Sequence, residues 1–300
     1  MDLFVKFWGT RGSIPTPGEH TSRYGGNTAC VEIRQGETLI ICDAGSGIRE
    51  LGDDLASRSA QPITGHLLLS HCHWDHIQGF PFFSPAYQSE NRFLIHGRGP
   101  GDDRFYRFLS GQMASDYFPI SFKALRADIR SSDLAATQGY LGKVRVDHLT
   151  LEHPGGCLGY SFRLGSIKVV YMTDVELPFL GPSGCADIRR APSDLVEFVN
   201  GADLLIADGQ YNDQEYLERR GWGHSSCFST VDLAVAAGVK HLSLFHHDPT
   251  RSDYDVDDLI DACRLRVSGH GSSLIVTGAR EGVELRYTDS EGPGSAVGSL

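Results

Sequence analysis

From Gly65 to Gly79 the chain reads Gly-His-Leu-Leu-Leu-Ser-His-Cys-His-Trp-Asp-His-Ile-Gln-Gly. The three leucines predict a short buried strand, which stops at a loop carrying His71, His73, Asp75 and His76. His71 and His73 are two residues apart, so on extended backbone they project to the same side. Asp75 and His76 follow at once, with diverging side chains that suit a second centre beside the first. Two imidazoles for one ion, and a carboxylate plus an imidazole for its neighbour, match borderline divalent cations such as zinc. Three histidines and an aspartate between positions 71 and 76 are too dense for a chance polar turn. The stretch is a metal site.

This H-x-H-x-D-H pattern after an apolar strand resembles the signature of the metallo-β-lactamase fold superfamily. The resemblance implies an α/β (α+β) chain folded as a four-layer αββα sandwich, with a two-metal hydrolytic site along one edge. It also demands a third histidine for the first metal, a bridging aspartate and a last histidine for the second. Suitable residues stand where strand-like segments end. Val144 to Leu151 leads to Glu152-His153-Pro154-Gly155-Gly156, Ile167 to Met172 leads to Thr173-Asp174, and His241 to Phe245 leads to His246. On this reading His71, His73 and His153 hold one ion, Asp75, His76 and His246 hold the other, and Asp174 lies between them. Asp75 counts with the catalytic groups as well as the ligands. Asp43, in Asp43-Ala44-Gly45 after the strand Thr38 to Cys42, matches the element that supports the ligand loops in that family. The expected cofactors are two divalent ions, zinc first, with manganese or iron also accepted by such donors.

A second element narrows the branch. Gly223-His224-Ser225-Ser226 resembles the G-H-S-T element of the cyclic phosphodiesterases and transfer-RNA 3′-endonucleases of the superfamily. There the histidine donates a proton to the leaving oxygen. Asp208, ending the strand Leu204 to Ala207, falls where those enzymes place the acidic partner of that histidine, although glutamate is frequent at that place. The loops Gly9 to Gly18 and Tyr24 to Thr28 resemble the first loops of phosphodiesterase-type members, and Arg11 there is a candidate phosphate contact. His247 and Asp248, after His246, are candidates for touching substrate or bracing the loop.

Composition bounds the substrate. Against 27 Lys and Arg stand 38 Asp and Glu, a net charge of −11. Such a surface repels a polyanion, so the expected partner is a small anionic substrate and not long nucleic acid. Seven scattered cysteines without a C-x-x-C pair argue against a disulfide scaffold and for a reducing cytoplasm. The stretch Met1 to Lys6 has no basic region followed by a long apolar core and so does not read as a signal peptide, and no apolar run of about 18 residues is present to span a membrane. A homodimer is left open.

Residues 1–288 are expected to form one domain, with an insertion or cap at about 97–147 and a loose tail over 289–300. Helices are predicted at Ile48 to Ala56, Arg104 to Gln112, Ser193 to Phe198, Ser229 to Ala237 and Asp253 to Val267. Ser273 to Tyr287 reads as an edge hairpin turning at Gly278 to Gly282, and Phe80-Pro81-Phe82-Phe83 as an apolar wall. The reading that follows is a dinuclear-metal hydrolase opening a small phosphodiester, a cyclic nucleotide or cyclic sugar phosphate, through a bridging hydroxide with His224 as proton donor. The alternatives are a lactonase- or thioesterase-type carboxylic hydrolase using the same metals, and a non-catalytic metal-bearing binding protein.

Overall fold

A computed structural model of the chain describes residues 1–58, 61–97, 103–177 and 191–289. They gather into two compact units, one built from Met1–Gly9, Asn27–Val146 and the chain from Glu281, the other from Thr10–Gly26 and Asp147–Arg280.

The first unit opens on β1 (Asp2–Gly9), whose Leu3, Val5 and Phe7 are buried at alternate positions as a two-residue period requires. Next come β2 (Cys30–Gln35), β3 (Thr38–Cys42), β4 (Thr64–Leu68), β5 (Arg92–Gly97) and β6 (Asp128–Asp133). With the last strand of the chain, β14 (Glu284–Thr288), they form a sheet of order β14-β1-β2-β3-β4-β5-β6. The pairs from β3 to β6 are parallel. The helix α1 (Ile48–Arg58) buries Ile48, Leu51, Gly52 and Leu55, spaced for one helical face. Gly52 lets that face approach Phe83 and Pro85, since a Cβ there would stand 3.0 Å from both. Removing Leu51, which is fully buried, would cost about 2–5 kcal/mol by the usual cavity penalty. Phe80 and Phe83 of the apolar run are core residues, whereas Phe82 is exposed. The one-turn α2 (Trp74–Ile77) follows β4, and α3 (Arg104–Gly111) packs on β5 and β6 through Phe105 and Leu109. The 97–147 segment thus supplies α3 and the edge strand β6; its residues 98–102 lie outside the described ones.

The chain enters the second unit along β8 (Val144–Leu151), whose first residues pair with the short β7 (Tyr140–Leu141). There β9 (Cys157–Leu164), β10 (Ile167–Met172), β11 (Leu204–Asp208), β12 (His241–Phe245) and β13 (Ile275–Gly278) continue the order β13-β12-β11-β10-β9-β8. β10 to β13 are mutually parallel, and β10, β11 and β12 read as apolar runs buried on both faces, as parallel strands under helices should, whereas β13 at the sheet edge leaves Ile275 exposed. The helices are α4 (Ser193–Val199), α5 (Asp213–Glu218), α6 (Cys227–Ala236) and α7 (Asp253–Gly269). α7 starts at a reciprocal capping box, Ser252 with Asp255, and buries Val256, Leu259, Ile260, Cys263 and Val267.

One expectation fails. β13 and β14 are not a hairpin: β13 pairs in parallel with β12, and β14 antiparallel with β1. The segment Ala279–Val283 is a crossing from one sheet to the other, held by Gly282 N to Phe7 O (2.8 Å) and Ala279 N to Leu244 O (2.8 Å). Two apolar segments joined by glycines encode strands and a bend, but not which edge each strand will join. The tail 290–300 lies outside the described residues.

Candidate metal centre and its flanking histidine

In the first unit β4 ends at Leu68, and the chain turns through Ser70 and His71 into α2, with His73 still extended (φ −63°, ψ 153°). The rings of His71 and His73 lie 4.4 Å apart and those of His71 and His76 4.2 Å apart. Asp75 and His76 do not diverge: Asp75 Oδ2 and His76 Nε2 are 3.3 Å apart, because the loop coils into a helical turn at that point.

Beneath them sits Asp43, fully buried and in the left-handed region (φ 62°), a strained state for a residue with a side chain. Its Oδ1 accepts from Ser70 N (2.7 Å), and its Oδ2 accepts from Ser70 Oγ (2.8 Å) and His76 Nδ1 (2.8 Å). With its hydrogen given to Asp43, Ser70 Oγ accepts from His71 Nδ1 at 3.0 Å. Both histidines therefore carry their proton on Nδ1 and present a bare Nε2, the arrangement that prepares imidazole for a metal. Glycines allow the supporting loop to lie this close. A Cβ on Gly45 would stand 2.3 Å from Asp75 O, and one on Gly79 2.0 Å from Gly45 O.

The second unit repeats this device. His153 Nδ1 donates to Gly223 O (2.7 Å) and His246 Nδ1 to Gln210 Oε1 (2.9 Å). Their Nε2 atoms face one carboxylate, His246 at 3.3 Å from Asp174 Oδ1 and His153 at 3.7 Å from Asp174 Oδ2. One carboxylate thus offers an oxygen to each of two imidazoles, which makes Asp174 a candidate ligand beside both. His246 is itself left-handed (φ 60°), and a Cβ on Gly12 would stand 2.4 Å from its ring.

Stacked on His246 at 4.8 Å, with planes 19° apart, is His224. Its Nδ1 lies 2.7 Å from Oδ2 of the fully buried Asp208. Aspartate therefore reaches this histidine despite being shorter than glutamate. The other oxygen, Asp208 Oδ1, accepts from Gln210 N (3.0 Å) and Ser225 N (3.4 Å), so the carboxylate cannot swing. An imidazole fixed in this way has its Nδ1–H on the carboxylate, and in its cationic form, which that carboxylate favours, it can release the second proton from Nε2 to a neighbouring oxygen.

The phosphate contact expected of Arg11 is corrected, and His247 and Asp248 take the bracing role left open beside substrate contact. Arg11 is completely buried, and its guanidinium donates to the carbonyls of Gly25 (2.8 Å), Asp248 (3.3 Å) and Arg251 (2.9 Å), with Asp253 at 3.7 Å. It ties the first loop to the loop after His246, so no face of it remains for a phosphate. His247 is buried, with Nε2 on Ala279 O (2.9 Å), and burial holds it down to about 3, neutral at any ordinary pH. The Asp248 carboxylate caps the turn at Thr250 N (2.9 Å). All three brace the loops that carry His246.

Ser70, Gln210 and Glu176 escaped the sequence reading, as did the orienting role of the Gly223 carbonyl. Ser70, Gln210 and Gly223 orient candidate ligand histidines, and Glu176 anchors the turn before His224 (Gly221 N 2.9 Å, Gly223 N 3.0 Å). Ser70, beside His71, had a positional cue. The others act across long sequence distances and had none.

A family model for the beta-lactamase superfamily domain matches residues 38–247. The chain belongs to that family. The ribonuclease Z of Agathobacter rectalis is 23% identical over 83% of this chain and 88% of its own. Among solved structures, a metallo-β-lactamase fold protein from Bacillus subtilis matches 96% of this chain and 100% of its own with a TM-score of 0.68 at 18% identity. The human short-form tRNase Z matches 95% and 98% with a TM-score of 0.60 at 18% identity. This superfamily member therefore has the metallo-β-lactamase fold, each unit supplying a mixed sheet with its helices. It is a metal-dependent hydrolase.

Proposed function

We propose that the protein is a dinuclear-metal phosphodiesterase acting on a small phosphodiester, a cyclic nucleotide or cyclic sugar phosphate. The observation that carries this reading is His224 held through Nδ1 by Asp208 at 2.7 Å. A proton donor is needed when the leaving group is an alkoxide, as in a phosphodiester, and is idle when a carboxylic derivative with a good leaving group is opened. His71, His73 and His153 would hold one ion and Asp75, His76 and His246 the other, with Asp174 available to both. The donor chemistry fits, since His71, His76, His153 and His246 each have Nδ1 tied to an oxygen and leave Nε2 for a metal. Two such ions, zinc in the first instance, supply an activated water and a counter-charge for the phosphoryl oxygens. Asp208 keeps His224 cationic and aimed, and His224 gives its Nε2 proton to the departing oxygen.

The small substrate is supported by the net charge of −11. Ribonuclease Z relatives support a second reading, cleavage at an RNA 3′ end. Free cysteines, six among the described residues, suit a reducing cytoplasm. The deciding experiment assays the metal-loaded protein on nucleoside 2′,3′-cyclic phosphates, cyclic mononucleotides, lactones and a 3′-extended transfer-RNA precursor. Turnover of the small phosphodiesters is expected to lead. A precursor RNA cleaved faster than all of them overturns the small substrate, and a leading lactone overturns the phosphodiesterase.

A further inference from the structure

Two residues ahead of His224 stands Trp222, 63% exposed. An indole left in water is ordinarily a loosely held surface group, yet the backbone around this one is fixed at every step. Gly221 and Gly223 on either side are both left-handed (φ 83° and 88°). The Glu176 carboxylate accepts from Gly221 N (2.9 and 3.0 Å), from Gly223 N (3.0 Å) and from Tyr216 Oη (3.2 Å). Trp222 N itself donates to Arg219 O (3.1 Å). Glu176 is anchored in turn, its N–H on Glu152 O at 2.8 Å, beside two candidate ligands, His153 and Asp174. The preceding helix α5 starts at a capping box of Asn212 and Glu215, and its Tyr216 is buried. Order without burial of the side chain is what a preorganised contact surface needs, because the ordering entropy is lost before a ligand arrives.

We propose that Trp222 is the platform on which the base of a nucleotide substrate stacks, which makes it a specificity-determining residue for base-bearing phosphodiesters over base-free sugar phosphates. The inference rests on the phosphodiesterase reading and narrows it. In that reading His224 serves the leaving oxygen, and the pinned turn carries an exposed indole two residues ahead of it, for which the group attached to that oxygen is the natural partner. Every nucleobase has a π-face for an indole, and stacking tolerates any of the four bases. Arg219 and Arg220, next to the turn and lying over the rings of Tyr211 (5.3 Å) and Tyr216 (5.7 Å), put positive charge beside it in an otherwise acidic chain.

The test compares adenosine 2′,3′-cyclic phosphate with ribose 2,3-cyclic phosphate on the metal-loaded wild type, Trp222→Ala and Trp222→Phe. The preference in kcat/KM for the base-bearing substrate is expected to fall about tenfold in Trp222→Ala, through KM, and to be largely restored by Trp222→Phe, the effect of losing and regaining one aromatic stacking contact. An unchanged preference in Trp222→Ala overturns the proposal, whether both rates fall together or neither does. A second readout needs no turnover. Adenosine 5′-monophosphate, but not ribose 5-phosphate, should quench tryptophan fluorescence in the wild type, and the quench should vanish in Trp222→Phe. Quenching that survives in Trp222→Phe places the base elsewhere and also overturns it. Should the wild type hydrolyse neither these two nor any other phosphodiester of the panel above, the phosphodiesterase reading fails, while the fluorescence titration still decides on stacking.

Discussion

The ring nitrogens of this protein are sorted by single oxygen atoms. Asp43, Ser70, Gly223 and Gln210 each sit on an Nδ1 and turn the opposite Nε2 into the only lone pair available. Asp43→Ala should therefore lower metal affinity by about 10–100-fold, the usual loss when such a supporting partner is removed, and metal analysis after dialysis against a graded chelator reads this directly. Asp208→Asn keeps the hydrogen bond to His224 but removes the charge that favours its cationic form. We expect kcat to fall about 10²–10⁴-fold on alkyl-leaving phosphodiesters and far less on p-nitrophenyl esters, whose leaving group needs no proton. Equal losses on both would take the proton-donor role from His224. Gly223→Ala meets two obstacles, a left-handed φ of 88° and a Cβ 2.2 Å from His153 Nδ1. Thermal unfolding should show a loss of at least about 1–2 kcal/mol from the backbone alone, and less metal should be retained.

At the level of elements, the ends of parallel strands do most of the placing. Ser70 follows β4, Asp174 follows β10, Asp208 closes β11 and His246 follows β12, the positions where open α/β sheets collect polar groups. The turns between strands and helices then set the angles. Glu176 pins the Gly221–Gly223 turn, and that turn carries the carbonyl that orients His153. Glu176→Ala leaves these backbone donors without their acceptor, at about 1–3 kcal/mol if water does not replace it. The expected result is a melting temperature lower by a few degrees together with a reduced metal content, whereas Glu176→Gln, which keeps an acceptor, should lie between.

Across the whole molecule, several buried or half-buried histidines are neutral when folded. Burial holds His66 and His241 down to about 4, and burial with the adjacent His66 holds His96 to about 3. In the unfolded chain each takes up a proton near pH 6.5. Below that value the unfolded state binds more protons, so the stability these groups confer is complete above pH 6.5 and is lost as pH falls towards 4 and then 3. Melting temperature against pH should be level near neutrality and decline below 6.5, and more shallowly in His241→Gln. Among the described residues, no helix is long and apolar enough to cross a membrane.

The local signals in this chain were strong because they are short-range. The apolar runs of β3, β10 and β12, the alternation in β8, and the density of donors between His71 and His76 follow from a few consecutive residues, since strand period and ligand spacing are local quantities. Partners distant along the chain needed the fold. Nothing in the sequence assigned β13 and β14 to different sheets, buried Arg11 among carbonyls, or brought Gln210 to His246 across 36 residues. A side chain's role here depends on which atom it meets, and that meeting is made by chain reversal and packing, which a string of residue types does not record.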